Sequence, residues 1–472
     1  MIYTFGNILP HAVGFLLLPV YSRYLAPDEY GIVSSMTVLT TLFAVFFSLC
    51  MERSIYRLYF DYDDKQSKKD YLGTIFTSTI INSIVLMLLI FFLRKYVGNI
   101  FKSIEFSPYY VYAILICFFS LFANIPRIYY QVEERAKKFV MLSVGQFLLT
   151  TVIVIIFVCY LRKGAVGQLE AVLLSWVIML PVYLVVTFKI TNFTIKKHIL
   201  VNVLTYSFPL IPTIAASWAI NMSNRIFIER YFDMSEVGIY SLGAKLATVG
   251  LILISGFDMA YSPYFFRKAN EAGDQTNSKK ILERSNNLYI AVMLTLVFVI
   301  ALFSRELVVL LIDHKYIKAY MITRLILLAY FFLGLSGIVS RSLLQHKKTK
   351  QTMYIALIMA AFNVVMNFIL IPIFGMYGAA YSTCMTFMIG FTIQYIYSKK
   401  CYFLQIYWQK FIPIVIFLSS FILIYQFILE KYFVPAFISK IVLVFLLIYL
   451  TMRLLKIKGF KDLQLERILE SV

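Results

Sequence analysis

One segment of this chain occurs twice. Tyr24-Leu-Ala-Pro-Asp-Glu-Tyr-Gly-Ile-Val-Ser34 returns about 207 residues later as Tyr231-Phe-Asp-Met-Ser-Glu-Val-Gly-Ile-Tyr-Ser241, with Tyr24/Tyr231, Glu29/Glu236, Gly31/Gly238, Ile32/Ile239 and Ser34/Ser241 matching. Each copy lies between two long apolar stretches. Two more matches follow in the same order. Ile125-Pro-Arg-Ile-Tyr-Tyr-Gln131 pairs with Val339-Ser-Arg-Ser-Leu-Leu-Gln345, and Gly164-Ala-Val-Gly167 pairs with Gly375-Met-Tyr-Gly378. A duplicated block of apolar helices leaves few architectures open, chiefly two related halves around a central site.

Lipid must be the solvent for most of the chain, because 472 residues that are 61% hydrophobic and 14% charged have too little polar surface for water. A bilayer core of roughly 30 Å needs about 20 apolar residues of helix. Fourteen stretches qualify: 2–23, 30–51, 72–93, 109–130, 139–161, 166–188, 202–223, 236–260, 285–304, 319–345, 353–374, 376–397, 410–429 and 434–453. The ninth could extend through Leu311. Spans 1–6 then correspond to spans 7–12, and the last two are extra. The expected fold is an all-α polytopic membrane protein. Its two six-helix bundles should be parallel repeats, since an even number of spans returns the chain to its starting side. The implied organisation is an N-lobe over 1–200, a C-lobe over 201–400, and the last two spans with a basic cytoplasmic tail over 401–472.

Loop charge sets the orientation. About 26 Lys and Arg follow the even-numbered spans, against about 12 at the opposite ends, which places both termini in the cytoplasm. The formal charge of +20 is explained by these loops and by lipid contact rather than by nucleic acid. Cys50, Cys117, Cys159, Cys384 and Cys401 have neither disulfide-framework nor metal-ligand spacing. No cleavable signal peptide is expected. The chain opens almost inside its first apolar stretch, from which a missing short N-terminal lead-in is expected. The longest loops, 52–71 and 261–284, are both cytoplasmic in this orientation and leave no place for an external catalytic domain.

Proline breaks helices by removing a backbone hydrogen bond and clashing with the preceding turn. Pro10 and Pro19 in span 1 and Pro209 and Pro212 in span 7 occupy equivalent spans and are candidate hinges. Pro126 and Pro181 fall in spans 4 and 6. Charges at membrane depth need a partner or water. The candidates are Arg23, Arg53, Arg127, Arg225, Lys245, Asp258, Arg324 and Arg341. Cations outnumber acids, which suits an anionic group such as a pyrophosphate. Lys245, Arg225, Arg53, Arg23 and Arg324 are the candidate substrate-binding cations. Arg23, Arg53 and Arg324 lie near span ends, where snorkelling to the interface is an alternative. Arg127 and Arg341 hold equivalent positions, as ligand contacts or as structural arginines. Asp258 is either an ion-coupling carboxylate or a salt-bridge partner. Asp61-Tyr-Asp-Asp64, followed by Lys65, Lys68 and Lys69, reads as a solvated loop, and His11 has no ligand partner. No metal site, cofactor or catalytic residue is indicated. The absence of a P-loop argues against ATP hydrolysis, and no GxSxG, HExxH or dinucleotide pattern appears.

Ile8-Leu-Pro-His-Ala-Val-Gly-Phe-Leu-Leu-Leu-Pro-Val-Tyr-Ser-Arg-Tyr-Leu-Ala-Pro-Asp-Glu-Tyr-Gly-Ile-Val33 resembles the opening of the bacterial polysaccharide (Wzx-type) flippases of the MOP superfamily, which also holds the MATE drug exporters and lipid II flippases. Arg225-Ile-Phe-Ile, Val237 to Ala247 and Gly375-Met-Tyr-Gly-Ala-Ala380 extend the resemblance, which spans essentially the whole chain. It implies a V-shaped, two-lobed transporter rather than an enzyme, located in the bacterial cytoplasmic membrane. The implied activity is translocation of undecaprenyl-pyrophosphate-linked oligosaccharide from the cytoplasmic to the outer leaflet by alternating access. Implied partners are the lipid-linked oligosaccharide, membrane lipids, and a polysaccharide polymerase with glycosyltransferases, but no nucleic acid; the chain is expected to be a monomer. A cation-coupled multidrug exporter of MATE type would want acids in its cavity, and deep acids are scarce here. A membrane polymerase or glycosyltransferase would need catalytic acids or a large external loop. A major-facilitator transporter would carry a Gly- and Arg-rich signature between spans 2 and 3, absent from Glu52 to Asp70.

Overall fold

The computed structural model describes residues 15, 17–270, 275–346, 348–401, 405–409, 411–413, 416, 440–447 and 449. These are helical, with no strand among them. The principal helices are α1 (Leu18–Tyr24), α2 (Pro27–Ser48), α3 (Lys65–Phe92), α4 (Val111–Leu121), α5 (Asn124–Val132), α6 (Ala136–Ile155), α7 (Gly164–Ile190), α8 (Lys197–Ser207), α9 (Leu210–Tyr231), α10 (Met234–Ala269), α11 (Gln275–Leu302), α12 (Ser304–Leu311), α13 (Ala319–Gln345), α14 (Thr349–Phe374) and α15 (Met376–Ser398).

Each of the expected spans 2–12 coincides with a helix or a pair of helices. Of span 1 only the last part is described, as α1, and most of spans 13 and 14 lies outside the described residues. Among the described residues nine helices are long and apolar enough to cross a membrane, or ten with the bent pair α8 and α9. The helix α15 is long enough but not apolar enough, because it carries Ser382, Thr383 and Thr386, all buried. Polar atoms inside the protein lower a span's hydropathy without exposing them to lipid.

The boundaries have local causes. Pro27 begins α2, where its missing N–H costs nothing, and the Glu29 carboxylate accepts from the Ala26 N–H at 2.9 Å. Asp64 caps α3 by accepting from the Ser67 N–H at 2.7 Å. The Ser67 hydroxyl and N–H together hold the Asp64 carboxyl below its ordinary value. The acidic tract there starts a helix. The expected loop 52–71 is therefore mostly short helical turns and the beginning of α3, and α10 continues through Ala269 beyond its expected end. Pro209 and Pro212 fall at the junction of α8 and α9, which are bent by 41°. Pro19 sits in the first turn of α1 and breaks nothing there, while Pro10 lies outside the described residues.

The described residues fall into two compact units. The first takes those of Met1–Leu246, Val308–Ile322 and Ala356–Thr386; the second takes those of Ala247–Leu307, Thr323–Ile355 and Phe387–Val472. Within the first unit the repeat is visible as a contact between its own two copies. Gly31 of α2 and Gly238 of α10 pack backbone on backbone. A Cβ at Gly31 would overlap the Met234 carbonyl, and one at Gly238 would overlap the Pro27 carbonyl. Only small residues allow two helices this close. The repeat-matched Glu29 and Glu236 also do equivalent jobs. Glu29 lies against Gly164 at the start of α7, and Glu236 accepts from the Met376 N–H at 3.1 Å at the start of α15. Gly164 and Gly375 have φ of +60° and +57°, a conformation favouring glycine.

Candidate functional site

In the first unit, α2 ends in two consecutive left-handed residues, Leu49 (φ 47°) and Cys50 (φ 56°). For residues with a Cβ this conformation is strained, and strain of this kind concentrates at functional positions. The chain therefore leaves the α2 axis, and Glu52, Arg53 and Tyr56 project from short turns instead of a continued helix. Together with side chains of α5, α6 and α7 they line a cavity of about 650 Å³.

The inner wall of this cavity is a hydrogen-bonded chain. Arg127 donates to the Tyr183 hydroxyl at 3.2 Å, Tyr183 donates to Gln146 Oε1 at 3.4 Å, and the Gln146 amide donates to Thr150 and Ser175 at 3.1 Å each. The Arg127 guanidinium stacks over Trp176 and Tyr183, with centroid distances of 5.6 and 5.8 Å. At the rim the Tyr56 hydroxyl donates to Gln131 at 2.8 Å. Two buried atoms of the cavity lining have no partner among the described residues, Glu52 Oε2 and Arg127 Nε. The Arg53 guanidinium makes no hydrogen bond or ion pair among the described residues and is exposed at the cavity edge. A space lined by two guanidinium groups, a carboxylate, amides and an indole presents donors, acceptors and a flat apolar face together.

The other predicted cations are placed differently. Arg225 is buried, and its Nε donates to Ser34 at 2.8 Å and Ser241 at 2.9 Å, the two serines matched in the repeat. It sits at the contact between the two copies and interacts electrostatically with Lys245, so these two are brought together. Lys245 is half-buried. Arg23 is exposed at the end of α1. In the second unit the Arg324 Nε donates to the Ala301 carbonyl at 3.1 Å and Ser304 Oγ at 3.0 Å, tying the end of α11 to the start of α12. Asp258 and Arg341 form an ion pair there, and Arg341 lies over the Tyr261 ring at 4.9 Å.

Sequence reasoning missed Glu52, Gln146 and Trp176. Glu52 read as loop charge beside Arg53, and nothing in an apolar span marks which Gln or Trp faces inward. It also missed a buried network of neutral groups. Asn367 donates to Asn224 Oδ1 at 2.7 Å, Asn224 donates to Tyr240 at 2.6 Å and Thr383 at 2.9 Å, and Asn363 donates to Thr386 at 3.1 Å. The i, i+4 spacing of Asn363 with Asn367 and of Ser382 with Thr386 was the available signal.

The polysaccharide biosynthesis protein family model matches residues 1–269, more than half of the chain. The chain belongs to that family. A second model, MatE, matches residues 209–369. Lsg locus putative protein 1 of Haemophilus influenzae is 29% identical over 273 residues, which cover 56% of this chain and 65% of that relative. The match thus spans less than two thirds of that relative's length. The capsular polysaccharide biosynthesis protein CapF of Staphylococcus aureus is 22% identical over 411 residues, 84% of this chain and 98% of its own. Among solved structures, the lipid II flippase MurJ in an inward closed conformation superposes with a TM-score of 0.73 at 15% identity, covering 96% of this chain and 97% of that one. This polysaccharide biosynthesis family member is therefore a multi-pass membrane protein with a fold like that of MurJ.

Proposed function

We propose that this protein moves undecaprenyl-pyrophosphate-linked oligosaccharide from the cytoplasmic to the outer leaflet of the bacterial cytoplasmic membrane, for assembly of a surface polysaccharide. The observation that carries the reading is Arg53. It is a cation without a protein partner among the described residues, at the edge of a polar cavity, in a chain of the polysaccharide biosynthesis family. A guanidinium held this way is available to phosphate oxygens. In the proposed orientation, both termini are cytoplasmic and Glu52, Arg53 and Gln131 lie at the cytoplasmic ends of their spans, where loading would occur. Lys245 and Arg225 supply further positive charge along the path, with Arg23 and Arg324 as secondary candidates. The lipid tail stays in the bilayer while the headgroup crosses. Alternating access requires helices that bend, and the 41° break at Pro209 and Pro212 supports a hinge there; Pro10 is proposed as its counterpart in span 1. Membrane potential can bias the cycle, since one charge moved through 100 mV is worth about 2.3 kcal/mol. The proposed partners are a polymerase and glycosyltransferases, with the chain itself a monomer.

In cells whose surface glycan depends on this chain, Arg53→Ala and Lys245→Ala should abolish that glycan at unchanged protein level. Purified protein in liposomes should move lipid-linked oligosaccharide between leaflets without ATP; a strict ATP requirement would overturn the reading. The MatE match over 209–369 and the acid Glu52 in the cavity favour one second reading, a cation-coupled drug exporter. Deletion that sensitises cells to cationic drugs and leaves surface glycan intact would select it.

A further inference from the structure

We infer that the cavity between Arg53 and Trp176 is a saccharide site, which holds sugar rings of the lipid-linked headgroup behind a pyrophosphate held at its edge by Arg53. This deepens the proposed function and rests on it. Its volume of about 650 Å³ falls within the roughly 300–1,000 Å³ of small-ligand pockets.

The lining selects the ligand class. Buried polar atoms are ordinarily paired, and leaving a charged one unpaired is costly, most of all in a protein surrounded by lipid. Among the described residues, Glu52 Oε2 is an acceptor lacking a donor, and Arg127 Nε is a donor lacking an acceptor. A ligand that satisfies both must present donors and acceptors side by side. A phosphate offers acceptors only and would be repelled by Glu52. A hydrophobic cation would satisfy Glu52 but meet two guanidinium groups. A pyranose ring carries hydroxyl groups that each donate and accept, and its apolar face fits against the Tyr56 and Trp176 rings. The amides of Asn124 and Gln131 add further donors and acceptors at the wall. The Arg127–Tyr183–Gln146 chain holds the Arg127 side chain in place before any ligand arrives, so little order is lost on binding.

The test is photo-cross-linking in cells that make the glycan, and the probe is their own lipid-linked oligosaccharide. Benzoylphenylalanine replaces Tyr56 or Phe139, both lining the cavity, or Tyr160, which is 81% exposed and away from it. All three are aromatic-for-aromatic replacements. Chains carrying the probe at Tyr56 and at Phe139 should take up periodate-reactive sugar at least tenfold above Tyr160. The added Glu52→Gln or Arg127→Gln should each lower that label about tenfold at equal protein amount. Arg127→Lys, which keeps the charge but loses Nε, should lower it as well. Label at the Tyr160 level at both cavity positions, in cells whose surface glycan is lost on deleting the gene, overturns the saccharide site and leaves the transport reading intact. An adduct joined through the polyprenyl chain overturns it too. If deletion leaves surface glycan unchanged, the transport reading fails and the saccharide site falls with it.

Discussion

Arg127 and Arg341 occupy the same place in the two copies of the repeat, yet their surroundings are opposite. Arg341 is buried, paired with Asp258 and laid over Tyr261 in the second unit. Arg127, in the first unit, has no acid paired with it among the described residues, stacks on Trp176 and Tyr183, and keeps Nε free at a cavity wall. Duplication kept the arginine, but only one copy neutralised it. A paired, buried charge holds structure together. One left beside an open polar space is costly to fold around, and is retained where a ligand uses it. What the copies share instead is their backbone contacts, with Gly31 against Gly238 and Glu29 and Glu236 each at the start of another helix.

The shared part should be the most fragile. Gly31→Val and Gly238→Val each force a side chain into a facing carbonyl and should cost about 3 kcal/mol or more, the upper end for overpacking. Purified protein should lose its cooperative thermal transition or its monodisperse elution. If only one of the pair is damaging, the two copies do not share this contact equally.

The arginines should separate next. Asp258→Ala leaves Arg341 unpaired and should cost about 2 kcal/mol, less than a fully buried pair because Asp258 is partly open. The double variant Asp258→Ala with Arg341→Met should recover most of the loss in thermal melting. Arg127→Met keeps the stem packed on Trp176 and should cost only about 1 kcal/mol, while surface glycan falls at least tenfold. Equal destabilisation at Arg127 and Arg341 would erase the contrast between the two copies.

Much of the fold was legible because it depends on period and composition. Span positions, the repeat and the helix break at Pro209 and Pro212 follow from apolar length and missing backbone hydrogen bonds. The site was legible only in part. Charge alone singled out Arg53 and Arg225, but it did not distinguish a guanidinium without a partner among the described residues from one shared by Ser34 and Ser241. That distinction depends on which residues of distant spans face each other. For the same reason Glu52 passed as a loop acid. The turn at Leu49 and Cys50 that aims it inward uses residues that give no sign of a left-handed backbone.

The two glutamates offer the finest comparison. Each is three positions into its own helix and also beside the first turn of another, so each carboxylate lies near two helix N-termini, with Glu29 bonded at its own and Glu236 at the other. Negative charge there is worth about 0.3–1 kcal/mol. Glu29→Gln and Glu236→Gln keep the size and the acceptor oxygen but remove the charge. Each should therefore lower stability by about 0.5 kcal/mol, by similar amounts, with the loss shrinking at high salt. Thermal melting at low and high ionic strength reads this directly. A loss of several kcal/mol at Glu236 alone would mean that it has taken on work its partner copy does not share, so that the copies diverge in their scaffold as well as in their cavity.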